Sequence, residues 1–321
     1  MQLFFLNMLP YLFLIAGFLL LIKSADLLVD GGISLAKKYK IPSIIIGMTI
    51  VAFGTSAPEF VVSVIASING NGPLAFGNII GSNVTNILLI LGISAIIRPL
   101  AVDRFTVLRD IPYSLVATLV CFFMVIRSDV IHQTDGYILL ALFAYFLFYT
   151  FFNSNKIAST DEHTEVLNMK VKKTFVSVSF ITLGIIGFAL GGKLVVEGAV
   201  QIASLFGIKE SVIGLTIVAI GTSLPELATS IVAAFKKQSG IAIGNIVGSN
   251  IFNLLFIFGI CAIIKPISLP ALAYFDVIFA SIATISLFLF VYARKPHKLT
   301  RLHGIMFILL YIGYIITMFM R

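Results

Sequence analysis

The sequence predicts an all-α membrane protein: ten transmembrane helices arranged as two five-helix repeats of inverted topology. Three observations lead there. The 321 residues are 59% hydrophobic and only 11% charged, with a mean hydropathy of +1.09, a composition foreign to a soluble domain of that size. Apolar runs of ~20 residues, enough to cross a bilayer, recur along the whole chain. Residues 47–99 also recur as residues 214–266, at a constant offset of 167 and without a gap, with 28 of 53 positions identical. The identities favour Gly, Thr, Ser, Pro, Glu and Asn, which a generic apolar span does not need. Function is therefore sought in what the two copies share.

The helices are expected at 8–36, 42–68, 74–97, 107–127, 135–153, 174–205, 210–235, 241–264, 270–292 and 301–320. The first lacks a basic leader and a small-residue cleavage site, and its apolar run is too long for a signal peptide, so it is read as a span. The first and sixth are long enough to tilt. Residues 1–153 form the first repeat, with its core at 47–99, and residues 174–321 the second, with its core at 214–266. Between them, residues 154–173 are polar and mixed in charge, a short connector and not a further domain.

Charge fixes the expected orientation. Alternate loops hold Lys37, Lys38 and Lys40; Arg98, Arg104 and Arg109; Lys156, Lys170, Lys172 and Lys173; Lys236 and Lys237; and Arg294, Lys295, Lys298 and Arg301. The opposite side holds Arg127, Lys209, Lys265 and Arg321. A split of 16 to 4 places the first set and the connector in the cytoplasm and both termini outside. The net charge of +8 is thus topology, and no nucleic-acid partner is expected. Five spans per half then insert the second copy upside down, the architecture of many secondary transporters, whose site lies where the halves meet.

Several chemistries drop out. Cys121 and Cys261 fall inside spans and suggest neither a disulfide framework nor a thiolate metal site. His132, His163, His297 and His303 sit in loops or at span ends, which removes Ser–His catalysis and His-rich metal sites. No enzyme activity and no cofactor is expected.

What remains is polar chemistry at bilayer depth. Glu59 and Glu226 are carboxylates inside apolar spans, where a charge costs ~2.5–3.5 kcal/mol on insertion scales and so faces a pathway or a partner. Pro58 and Pro225 lack an N–H, which frees the carbonyls of Gly54 and Gly221. Thr55 and Ser56 share the side of the helix that carries Glu59, and Thr222 and Ser223 that of Glu226. Carboxylate, hydroxyl and carbonyl oxygens together suit a hard cation such as Ca²⁺, which takes ~6–8 of them. Asn78, Ser82 and Asn86, spaced i, i+4, i+8, form a polar stripe that Asn245, Ser249 and Asn253 repeat. Asn78 and Asn245 fit either a site or a scaffold role, while Asn83 and Asn250 lie off the stripe and are read as packing. Gly77 with Gly81, and Gly244 with Gly248, permit close helix approach. Lys23, Asp26 and Asp30, and Lys193 with Glu197, are read as local ion pairs or snorkelling side chains, with a direct transport role as the alternative.

The paired segments GTSAPE…GNIIGSNVTN and GTSLPE…GNIVGSNIFN resemble the two α-repeats of the cation/calcium exchanger superfamily, in particular its small prokaryotic sodium/calcium exchangers. The resemblance implies a protein of the prokaryotic inner membrane that exchanges Ca²⁺ for Na⁺ by alternating access. It implies ion ligands at Thr55, Ser56, Glu59, Ser82 and Asn86, and at Thr222, Ser223, Glu226, Ser249 and Asn253, with backbone carbonyls from Ala52 and Ala219. Some members carry Asp where this chain has Asn86 or Asn253. Two carboxylates give a charge of −2, which one Ca²⁺ or two Na⁺ neutralise and a third Na⁺ would exceed. Proton-coupled exchange, a cation channel and an organic-solute transporter are the alternatives. The last is opposed by the absence of Arg or Lys from the matched core.

Overall fold

The computed structural model describes residues 2–39, 41–152, 171–205, 219–271, 273–293 and 295–320. Most of the expected connector (154–170) and the first part of the seventh helix (210–218) lie outside them. The described helices are α1 (Gln2–Tyr39), α2 (Ser43–Thr55 bent into Ala57–Ile68), α3 (Gly72–Ile97), α4 (Thr106–Arg127) and α5 (Gln133–Phe152), followed by α6 (Thr174–Leu205), α7 (Ala219–Thr222 and Leu224–Phe235), α8 (Ser239–Ile264), α9 (Ala273–Tyr292) and α10 (Arg301–Phe319). Among the described residues, eight helices are long and apolar enough to cross a membrane, and the bent α2 makes a ninth.

Local chemistry sets the ends. The Asn71 side chain accepts the N–H of Leu74 at 3.2 Å and caps α3, and Thr300 accepts that of His303 at 3.4 Å to cap α10. Asp103 takes the N–H groups of Phe105 at 2.7 Å and Thr106 at 3.3 Å ahead of α4. α3 and α8 stop at Arg98 and Lys265, whose backbones are extended (φ −145° and −155°). Each precedes a proline, which disfavours the helical conformation in the residue before it.

α1 and α6 press backbone to backbone and run antiparallel. A Cβ added at Gly191 would lie 3.1 Å from the carbonyl oxygen of Gly17, at Gly184 2.9 Å from that of Ser24, and at Gly31 2.7 Å from that of Ser177. Small residues permit that proximity where lipid supplies no hydrophobic drive between helices. α3 and α8 are the inner pair: 78% and 83% of their most apolar stretches are buried, against 22% for α10. α8 also crosses the start of α2 closely, since a Cβ at Gly248 would fall 2.5 Å from the Met48 Cα. The close approach expected of the glycine pairs is thus present at Gly244 and Gly248. Gly77 and Gly81 have nothing within 4 Å of an added Cβ among the described residues.

Two short antiparallel ribbons tie loops together. β1 (Leu100–Ala101) pairs with β4 (Lys298–Leu299), and β2 (Val130–Ile131) pairs with β3 (Ile267–Ser268). β1 precedes α4 and β2 follows it, so the two ribbons sit at opposite ends of that helix. A charge cluster joins α1 to the end of α7. Lys236 Nζ lies 2.5 Å from Asp26 Oδ1 and 2.5 Å from Asp30 Oδ1, and Lys172 Nζ lies 3.3 Å from Asp30 Oδ2. The local pairs expected from spacing are also present, Lys23–Asp26 at 3.5 Å and Lys193–Glu197 at 3.7 Å. Asp26 and Asp30, however, are held chiefly across helices.

Candidate functional site

Both signature helices break at the serine of their GTS motif. Ser56 has φ −81° and ψ 7°, Ser223 φ −87° and ψ 4°, and the helix resumes with Pro58 or Pro225 in its first turn. The missing proline N–H costs nothing in a first turn, and the two halves of α2 meet at 49°. That break aims Thr55, Ser56 and Glu59 inward together. Thr55, Ser56, Glu59, Ser82, Asn86, Thr222, Ser223, Glu226, Ser249 and Asn253 are all buried.

Their hydrogen bonds cross between the copies, and each bond has a counterpart shifted by 167 residues. Ser56 Oγ donates to Glu226 Oε1 at 2.8 Å, and Ser223 Oγ to Glu59 Oε1 at 3.1 Å. Thr55 Oγ1 reaches Asn245 Oδ1 at 3.0 Å, and Thr222 Oγ1 reaches Asn78 Oδ1 at 3.2 Å. Ser249 Oγ adds a second donor to Glu226 Oε1 at 3.4 Å, while Ser82 Oγ pairs with Ser223 Oγ at 3.3 Å. Each hydroxyl therefore serves the other copy's carboxylate or amide.

Asn78 and Asn245 act as scaffold in this arrangement. Asn78 Nδ2 donates to the Glu59 carbonyl at 3.2 Å and to Ser63 Oγ at 2.9 Å. Asn245 Nδ2 donates to the Glu226 carbonyl at 3.4 Å and to Ser230 Oγ at 3.1 Å. With their Oδ1 atoms occupied by the threonines, both amides are fully employed. Ser63 and Ser230 escaped the sequence reading, although their identity across the repeat, four residues after each Glu, was the available signal. Ala52 presents a carbonyl that already accepts from Ser56 N at 3.0 Å and Thr55 Oγ1 at 3.2 Å. Ala219 opens the described part of α7.

Four site oxygens are buried without a hydrogen-bond partner: Glu59 Oε2, Glu226 Oε2, Asn86 Oδ1 and Asn253 Oδ1. Buried polar atoms are rarely left so, since each costs about 1–3 kcal/mol. That they fall in symmetric pairs, two carboxylate and two amide, marks the place where a cation would sit. Asn86 and Asn253 also stand at widened, π-helical turns, Asn86–Leu91 and Phe252–Ile257, a distortion that recurs at functional sites. Among the described residues no group of three or more His, Cys, Asp or Glu is placed to hold a metal. The donor set is two carboxylates plus neutral oxygens.

A family model described as sodium/calcium exchanger protein matches residues 9–152 and again residues 176–320. The chain belongs to the sodium/calcium exchanger protein family. Among relatives of this exchanger, the inner membrane protein YrbG of Escherichia coli is 40% identical over 266 residues, covering 81% of this chain and 82% of YrbG. The sodium/calcium exchanger MaX1 of Methanosarcina acetivorans is 29% identical over 345 residues, covering 96% and 98%. A solved structure of the sodium-calcium exchanger NCX_Mj superposes with a TM-score of 0.82 at 34% identity, covering 96% of this chain and 97% of that one. The exchanger therefore has the fold of NCX_Mj.

Proposed function

We propose that this exchanger is a secondary active antiporter that moves Ca²⁺ against Na⁺ by alternating access, through one site between its two halves. The observation that carries the reading is the symmetric set of unpartnered oxygens, Glu59 Oε2 with Glu226 Oε2 and Asn86 Oδ1 with Asn253 Oδ1, buried in helices of membrane length. The ligand set is Thr55, Ser56, Glu59, Ser82 and Asn86 with Thr222, Ser223, Glu226, Ser249 and Asn253, and the Ala52 and Ala219 carbonyls complete it. An all-oxygen site of this kind meets the ~6–8 ligands of Ca²⁺, and a charge of −2 balances one Ca²⁺ or two Na⁺. The seryl hydroxyls that now donate to the carboxylates keep lone pairs for the ion, so occupancy and the contact between halves are linked.

The architecture in this reading is ten spans in two inverted repeats, residues 1–153 and 174–321, joined by a cytoplasmic connector at 154–173, with both termini outside the inner membrane. Two features support inversion. α1 and α6 occupy equivalent places in the repeats and run antiparallel. β1 and β3 are equivalent by the same offset, yet β1 lies at one end of α4 and β3, through β2, at the other. Membership of the sodium/calcium exchanger family favours Na⁺ coupling over proton coupling, and an antiporter over a channel. No Lys or Arg stands among the site residues to hold an organic anion.

The test is Ca²⁺ flux in proteoliposomes with the Na⁺ and H⁺ gradients varied independently. Flux that follows an outward Na⁺ gradient at fixed pH is expected. Flux driven by the pH gradient alone would replace Na⁺ by H⁺, and flux without any counter-ion would make the protein a channel.

A further inference from the structure

Asn83 and Asn250, which spacing assigns to packing, sit where α3 crosses α8. Asn83 Nδ2 donates to the backbone carbonyl of Asn250 at 3.2 Å, and Asn250 Nδ2 to that of Asn83 at 3.3 Å. A backbone carbonyl only accepts, so both amide nitrogens have a fixed place. Both Oδ1 atoms are then fixed on the other side of their amides. They accept in turn: Asn250 Oδ1 takes Asn86 Nδ2 at 2.9 Å, and Asn83 Oδ1 takes Asn253 Nδ2 at 3.1 Å. The orientation of the second amide pair follows. The nitrogens of Asn86 and Asn253 face the crossing and their oxygens face away, and these are the two amide oxygens left without a partner.

We infer that Asn83 and Asn250 are positioning residues that fix the amide orientation of Asn253 and Asn86, so that each offers a cation an oxygen and never an N–H. The chain of donors starts at two main-chain carbonyls, which do not rotate, and ends at the two neutral ligands. All four amides are at most 2% exposed, so water does not compete for these bonds. The relay is reciprocal: each half orients the other half's ligand. A free amide turned by 180° would instead point two N–H bonds at the ion, replacing attraction by repulsion. The inference rests on the reading of this pocket as the ion site.

The experiment is a double-mutant cycle on Ca²⁺ transport in proteoliposomes with Asn83→Leu, Asn253→Ala and the pair together. Asn83→Leu is expected to raise the KM for Ca²⁺ about tenfold with kcat retained, because Asn253 loses the acceptor that orients it. Asn253→Ala is expected to raise KM by a similar factor. The pair should be no worse than Asn253→Ala alone, since Asn83 acts through Asn253. An unchanged KM in Asn83→Leu, or a double variant whose defect is the product of the two, would overturn the relay and return Asn83 to packing. If Asn83→Leu does not accumulate, Asn250→Leu with Asn86→Ala closes the equivalent cycle in the other half. A wild-type protein that binds Ca²⁺ yet shows no Na⁺-driven flux would sink the exchange reading alone. The same cycle, read as Ca²⁺-dependent thermal stabilisation, would still decide the relay.

Discussion

Glu226→Gln changes charge and almost nothing else. In the wild type, Glu226 Oε1 accepts from Ser56 Oγ at 2.8 Å and from Ser249 Oγ at 3.4 Å, while Oε2 is buried without a partner. A glutamine must put its carbonyl in the Oε1 place to keep the two hydroxyl donors, so its NH₂ takes the place of the free oxygen. An incoming Ca²⁺ then meets one negative charge where it had two, and N–H groups where it had an oxygen. Leaving a buried charge without its partner costs ~3–5 kcal/mol, or about 10²–10³-fold in Ca²⁺ affinity at 1.4 kcal/mol per tenfold. The fold should not suffer, because both hydroxyls keep an acceptor. Two assays separate these effects: Na⁺-driven Ca²⁺ uptake into proteoliposomes, and the melting temperature with and without Ca²⁺. At 100 times its Kd, Ca²⁺ should stabilise the wild type by ~2.7 kcal/mol and the variant hardly at all. A well-folded Glu226→Gln protein with uptake within threefold of wild type would remove Glu226 from the site. Glu59→Gln carries the same expectation.

Ser56→Ala and Ser223→Ala are related by the repeat, and each removes one donor to the other half's carboxylate. Both should raise the KM for Ca²⁺ by about tenfold, and a marked inequality between them in the same flux assay would refute the equivalence of the halves. Gly248→Ala should destabilise the protein by about 1–3 kcal/mol, since its Cβ would sit 2.5 Å from the Met48 Cα, whereas Gly313→Ala, with nothing within 4 Å, should be tolerated; thermal unfolding in detergent compares them. Cysteine at Asn69, an exposed position between α2 and α3, should react with an impermeant reagent from outside intact cells. Cysteine at Lys237, also exposed, should react only after permeabilisation, and equal access for the two would refute the inverted arrangement.

The spans were legible because bilayer length and the absence of charge are one-dimensional signals. The ends of α3 and α8 were legible too, since Arg98-Pro99 and Lys265-Pro266 state the break chemically. The pairing of Glu, Ser and Thr in each copy could be read from spacing. What spacing could not show is that Ser56 serves Glu226, 170 residues away, and not Glu59 three residues away. The same limit hid Asn83 and Asn250: off the polar stripe of one helix, they are central only once two helices cross. Asp26 and Asp30 looked locally paired because Lys236, 206 residues beyond Asp30, approaches through tertiary packing alone. The π-helical turns at Asn86 and Phe252 leave no mark in apolar periodicity, and neither do ribbons two residues long.

The cluster of Lys236 with Asp26 and Asp30 has no twin. Shifted by 167 residues, Lys236 corresponds to Asn69, Asp26 to Lys193 and Asp30 to Glu197, and Lys193 and Glu197 bond to each other, both largely exposed. In a carrier whose two open forms arise by its halves trading conformations, a perfectly duplicated chain would spend equal time open to either side. Here the trade preserves the centre and abolishes the clamp. Even ~1.4 kcal/mol held in those contacts makes one form ten times more populated than the other. The side on which the empty carrier waits is then decided at its rim, by residues that never touch the cargo.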